Sequence, residues 1–136
     1  MTTTLDSVIR AALGRFNAGD VAGYLDLYAE DAVLHYLPPD LPGSLAGARL
    51  FYGMFLNAFP DIHVGVADIF VEGDRAVVRF TVTGTHQGEL MGIPASGKSI
   101  AVLGITILRF AGGSCVERWS ELDMMGLMTQ IGAVPA

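Results

Sequence analysis

Residues Ile100–Leu108 (IAVLGITIL) are apolar whichever way they point. In an extended strand, alternate side chains go to opposite faces. Ile100, Val102, Thr106 and Leu108 fall on one face, and Ala101, Leu103, Ile105 and Ile107 on the other. Such a strand has to be covered twice. The run is far shorter than the roughly 20 residues of a membrane-spanning helix. Its cover therefore comes from the rest of this chain and from a second subunit.

The other elements arrange themselves around that strand. Gly112-Gly113 offers a two-residue hairpin turn from strand Ser99–Ala111 into a last strand, Cys115–Asp123. Strands are also expected at Ile62–Glu72 and Arg75–His86, with Gly73-Asp74 as the turn between them. A short strand is expected at Ala32–Leu37, before Pro38-Pro39. Ahead of these, Leu5, Val8, Ile9, Ala12, Leu13 and Phe16 recur at helical spacing, capped by Thr4 or Asp6. A second, shorter helix starts from Asp20 and carries Tyr24, Leu25, Leu27 and Tyr28. A third runs from about Ala46 to Phe59, stopped by Pro60, and Met124–Ile131 closes the chain as a fourth. Helices first and long consecutive strands afterwards give an α+β fold, one domain over 1–136, with an antiparallel sheet and helices on one face. A second copy against the back of the sheet supplies the other cover, so a homodimer is expected.

Composition removes several classes of function. Net charge is −6, and eight Lys+Arg are scattered singly with no basic stripe, so neither nucleic acid nor an anionic membrane is an expected partner. The start, MTTTLDSVIR, lacks the basic and apolar regions of a secretion signal, and Cys115 is the lone cysteine. A cytoplasmic protein is expected. The three histidines stand far apart, and no phosphate loop, dinucleotide fingerprint or Gly-x-Ser-x-Gly elbow occurs, so neither metal nor cofactor is expected. Hydrophobic residues reach 51%, and the surplus apolar surface suits a pocket for a small hydrophobic compound.

The candidate chemistry lies in the last strand. Strict alternation puts Cys115, Glu117, Trp119, Glu121 and Asp123 on one face, and Val116, Arg118, Ser120 and Leu122 on the other. The first face is read as the pocket face. A carboxyl in a dry pocket rises from a pKa of about 4 towards about 6 and can then carry protons. Asp123 has that reading and also a second, as cap of the helix from Met124. Glu121 is either its neighbour in the pocket or a solvated partner for Arg109 or Arg118. Trp119 is core or a flat wall for a ligand. His35, on an otherwise apolar strand, is a proton shuttle or a satisfied core residue. His86, at a strand end before a glycine loop, contacts ligand or anchors the loop. A plain two-residue turn sets Arg109 opposite Val116, away from Trp119, and a bulge reverses that.

The run Ala58-Phe-Pro-Asp61, then Gly73-Asp74, Gly84-Thr-His-Gln-Gly88 and Met91-Gly-Ile-Pro94, resembles the SnoaL-like polyketide cyclases, also called ester cyclases. So do Arg109-Phe, Glu117-x-Trp119 with Asp123 four residues on, and the ending Gly126-Leu…Gln130-Ile-Gly132. The likeness spans about residues 5 to 135. It implies the cone-shaped α+β fold of nuclear transport factor 2, with N-terminal helices closing a curved sheet around an apolar pocket. It also implies cofactor-independent ring closure of a polyketide-like carbonyl compound by intramolecular aldol chemistry. On that resemblance Asp123 is the acid/base and His35 its helper; Trp119, Glu121, His86, Arg109, Phe55 and Met91 are read as the residues around the substrate, Arg109 as one that binds an enolate or orients a carboxylate. Arg109 stands where studied members carry a second pocket histidine, and arginine cannot shuttle a proton near neutral pH. An epoxide hydrolase of the same fold, with two aspartates and an arginine around a water, and a non-catalytic metabolite binder are the alternatives.

Overall fold

The structure is a computed structural model and describes residues 4–134; the few positions before and after, including the first three of the start read above, lie outside it. The elements run in the order α1 (Leu5–Asn17), α2 (Val21–Leu25), β1 (Tyr28–His35), α3 (Leu45–Ala58), β2 (His63–Glu72), β3 (Arg75–Thr85), β4 (Ser99–Ala111), β5 (Ser114–Leu122) and α4 (Met124–Gln130). The strands form one sheet in the order β1-β5-β4-β3-β2. All pairs are antiparallel except β1 with β5, so the sheet is mixed.

Local chemistry accounts for the helix boundaries. Thr4 Oγ1 accepts from the Ser7 amide and opens α1, while Asp20 accepts from Gly23 and opens α2. Both satisfy amides that have no partner inside their helices. The apolar stripe of α1 buries Ile9, Ala12 and Phe16, and α3 buries Ala48, Phe55 and Ala58. Pro60 stands two positions past the last residue of α3, where a helix cannot continue.

β4 is the sheet's central strand, and its burial alternates as its sequence does. Ile100, Val102, Gly104, Thr106, Leu108 and Phe110 are buried on the inner face, whereas Leu103 and Ile105 are exposed on the outer. β5 ends opposite Gly104, which leaves the Ser99–Leu103 edge of β4 open. α4 closes that edge: Gln130 makes two hydrogen bonds to the Ala101 backbone, and the Asp123 amide donates to the Leu103 carbonyl.

β1 departs from expectation. It begins at Tyr28 and not at Ala32, and it stops at His35 because Tyr36 takes a left-handed backbone (φ 66°). Pairing with β5 extends it backwards: the Cys115 amide donates to the Leu27 carbonyl, and Tyr28 lies opposite Cys115. That pairing is a tertiary contact, invisible to local periodicity.

Candidate functional site

α1, α2, α3 and the inner face of the sheet enclose a cavity of about 460 Å³. Its walls are apolar: Ile9, Leu13 and Phe16 from α1, Phe51 and Phe55 from α3, and Val78, Phe80, Val82 and Leu108 from the sheet. Tyr36, Leu37, Pro38 and Pro39 on one loop and Met91 on another form its mouth. Tyr36 and Met91 both have positive φ (66° and 47°), so the two mouth loops each hold a side chain in a backbone conformation that costs energy without glycine.

The polar groups of the cavity come from the face of β5 opposite to the one expected. Arg118, Ser120 and Leu122 lie against Leu108, Thr106 and Gly104 of the buried face of β4, and Arg118, Ser120 and Thr106 line the cavity. Ser120 and Thr106 hydroxyls are hydrogen-bonded at 2.8 Å. Arg118 is only 4% exposed, and its Nη1 donates to the Tyr52 hydroxyl. The Tyr52 hydroxyl meets that of Tyr24 at 3.2 Å, and Tyr24 meets Tyr28 at 2.7 Å. The rings of Phe16, Tyr24 and Tyr52 pack edge to face, with centroids 5.3–5.5 Å apart.

Burial sets the protonation of this cluster. Desolvation, with the neighbouring phenols adding to it, holds the Tyr24 hydroxyl well above the usual tyrosine range, and desolvation does the same for Tyr28. For Arg118, burial works to lower the pKa and the three phenols, were they ionised, work to raise it; the net direction is upward. Near neutral pH the site therefore holds one cation, Arg118, near the neutral phenols of Tyr24 and Tyr28.

The expected site residues divide. Phe55 and Met91 line the cavity. Glu121 touches its rim, but it pairs with exposed Ile105, is itself exposed, and also borders a groove on the outer face. Asp123 is exposed outside the cavity, where its carboxylate accepts from the Gly126 amide at 2.9 Å as the cap of α4. His35, Trp119 and Arg109 sit together on the outer face. His35 Nε2 meets Glu117 Oε2 at 2.8 Å, its ring stacks on Trp119 at 5.2 Å, and Arg109 donates to Glu117 Oε1 at 3.0 Å. His86 is fully buried but anchors the loop: its Nδ1 accepts from the Ser96 amide, and its amide donates to the Lys98 carbonyl.

The physical reason for the reversed face is the cost of dehydrating carboxylates. On the outer face Glu117 keeps water and its two partners, His35 and Arg109; inside, it would lose the water and both of them. Arg118, Tyr52 and Tyr24 did not feature among the expected site residues. The signal was available: Arg118 is the one charge on a strand face otherwise made of Val116, Ser120 and Leu122, and a lone charge on a core face requires explanation. No group of three or more His, Cys, Asp or Glu side chains among the described residues is placed to hold a metal ion. No described helix is long and apolar enough to cross a membrane.

A five-stranded mixed sheet, not closed into a barrel, with helices enclosing an apolar cavity against one face, defines the cone-shaped class of nuclear transport factor 2. Within that class, the chain belongs to the SnoaL-like polyketide cyclase family, whose pattern residues 6–131 match. It is 25% identical to the aklanonic acid methyl ester cyclase DnrD of Streptomyces peucetius, over 97% of this chain and 92% of that protein. It superposes on AclR of Streptomyces galilaeus, a proposed hydroxylase, with TM-score 0.88 and 31% identity over 96% of this chain and 82% of that one. IdmH of Streptomyces antibioticus, a proposed polyketide cyclase, gives TM-score 0.80 and 30% identity over 95% and 99%.

Proposed function

We propose that the protein is a cofactor-independent cyclase that closes a ring in a hydrophobic, polyketide-like carbonyl compound held in the cavity. The observation that carries this reading is the cavity itself: about 460 Å³ of mostly apolar wall with its polar groups gathered on one side, at Arg118, Tyr52, Thr106 and Ser120. Apolar walls fold a flexible chain so that a nucleophilic carbon and an acceptor carbonyl come within reach. Convergent hydroxyl and phenol donors then stabilise the oxygen on which negative charge develops. The relative acting on aklanonic acid methyl ester supports the substrate class.

The role expected for Asp123 does not transfer to this cavity, because its carboxylate is committed to the start of α4 and faces solvent. No aspartate lines the cavity among the described residues, which leaves the epoxide hydrolase reading without its pair of carboxylates. A second reading, a binder that converts nothing, is favoured by one observation: among the described residues no imidazole lines the cavity, and the one carboxylate that does, Glu121, lies at the rim.

The test is incubation with aklanonic acid methyl ester in oxygen-labelled water. A cyclase returns a product of unchanged mass with no solvent oxygen in its carbon skeleton. Incorporated label would move the reading to hydrolysis. Tight binding with no conversion would move it to the binder.

A further inference from the structure

Arg118 is a buried cation without a counter-ion. It projects from the middle of β5 into the cavity, and among the described residues no carboxylate lies within ion-pair distance of it. A guanidinium carries five N–H donors in a flat fork. Here Nη1 is used by Tyr52, while Nε is buried without a partner. The Tyr52 ring, 5.8 Å from the guanidinium carbon, offsets part of the dehydration through its electron-rich face. One hydroxyl partner and a ring face do not replace the hydration of a full charge. The charged side chains that form salt bridges among the described residues, by contrast, keep substantial contact with water.

We propose that Arg118 is the seat of an anionic substrate oxygen: the cavity takes a flat hydrophobic compound bearing a carboxylate or the enolate of a β-dicarbonyl, and that oxygen completes the guanidinium beside Tyr52. A planar oxyanion matches the fork, and a single cation in an apolar hollow suits one negative charge and not a phosphate. The proposal rests on the cavity being the substrate site. It also supplies what the cavity lacks. A β-dicarbonyl that ionises by losing its α-proton to solvent arrives as its own carbon nucleophile. Its α-carbon attacks the acceptor carbonyl carbon, the carbonyl electron pair moves to oxygen, and that alkoxide takes a proton from solvent. The sum is an isomerisation with nothing oxidised or reduced.

The experiment compares binding of naphthoate with its uncharged methyl ester by calorimetry near neutral pH, and follows the enolate absorbance of acetyltetralone during titration with and without protein. The wild type should prefer the acid over the ester by about tenfold or more, and Arg118→Met should abolish or invert that preference. If the enolate is the bound form, protein should lower the diketone's apparent pKa by about one unit or more; a carboxylate preference without that shift assigns the seat to carboxylates. Equal affinity for acid and ester, with no diketone shift, overturns the anion seat and leaves the apolar cavity as substrate site. Failure of every compound to bind overturns the cavity reading itself. If Arg118→Met does not fold, the wild-type acid-to-ester ratio and the diketone shift decide.

Discussion

Arg109 lies directly across the β4–β5 hairpin from Glu117, one position beyond the partner a plain two-residue turn would give it. The pairs nearer the turn, Phe110 with Cys115 and Ala111 with Ser114, keep the register of the turn; Val116 is then extra, and the strand continues with Glu117 opposite Arg109. This single-residue bulge breaks the alternation, so buried Cys115 shares the inner face with Arg118 and not with Glu117. It also assembles the outer cluster in which Glu117 bridges His35 and Arg109. The guanidinium of Arg75, whose β3 position stands between Glu72 of β2 and Arg109 of β4, lies 5.5 Å from the Trp119 ring.

The cluster predicts a pH signature. Its hydrogen bond from His35, and then its contacts with Arg109, hold the Glu117 carboxyl below its ordinary range. A depressed folded-state pKa means stability present above the unfolded value and lost as pH falls through the folded one. Glu117→Gln should therefore lower the melting temperature at neutral pH, and the difference from wild type should close in strongly acidic solution. A difference unchanged down to that range would show that the effect is packing and not charge.

Asp123→Ala should behave as loss of a helix cap. It removes the acceptor for the Gly126 amide and should cost about 1 kcal/mol of stability, with turnover largely retained. Asp123→Asn, which keeps an acceptor, should be milder. A loss of rate near a thousandfold with folding intact would return the proton-transfer role to this residue.

The outcome for these strands shows what a sequence conveys and what it does not. The two-faced apolarity of β4 was legible because period-two alternation is a property of the strand alone. Helix starts were legible because capping is also local: of Thr4 and Asp6, both expected as possible caps of α1, Thr4 is the one used, and Asp20 opens α2. Which face of β5 looks inward was not: it follows from the bulge at Val116 and from the free-energy difference between wet and dry carboxylates, and neither has a local period. The buried Arg118–Tyr52–Tyr24 network was equally hidden, since its members come from β5, α3 and α2 and meet only on folding.

Cys115 should be silent in the native protein. Burial pushes its thiol up to about 11, and the residue has no exposed surface. The thiolate is the reactive form, so a thiol reagent at mildly alkaline pH should label unfolded chains and spare folded ones. Stoichiometric labelling without denaturant would show that the β1–β5 seam opens.

The outer face of the sheet is proposed as the contact for a second copy of the chain. Leu103 and Ile105, exposed at 63% and 49%, form its apolar stripe, while Arg79 and Asp68 beside it pair with each other. Leu103→Glu would place a charge in that stripe. Sedimentation velocity should find the wild type as a dimer and the variant shifted towards monomer with unchanged secondary structure. A wild type that sediments as a monomer at every concentration would overturn the proposal.

Gly104 and Phe80 link the sheet's register to the cavity's shape. They face each other across β3 and β4, and a methyl group on Gly104 would come within 2.4 Å of the Phe80 ring. The ring lines the cavity, so it occupies space that only glycine leaves open. In Gly104→Ala the ring has to turn further into the hollow or the strands have to part. Overpacking of this kind costs about 1–3 kcal/mol. The melting temperature should fall, and affinity for naphthoate should fall with it because the hollow is smaller. The double variant Gly104→Ala/Phe80→Ala separates the two effects: removing the ring relieves the clash, so the second substitution should restore ligand affinity. If binding in Gly104→Ala matches wild type while stability drops, the ring has moved away from the cavity and Phe80 does not set its volume.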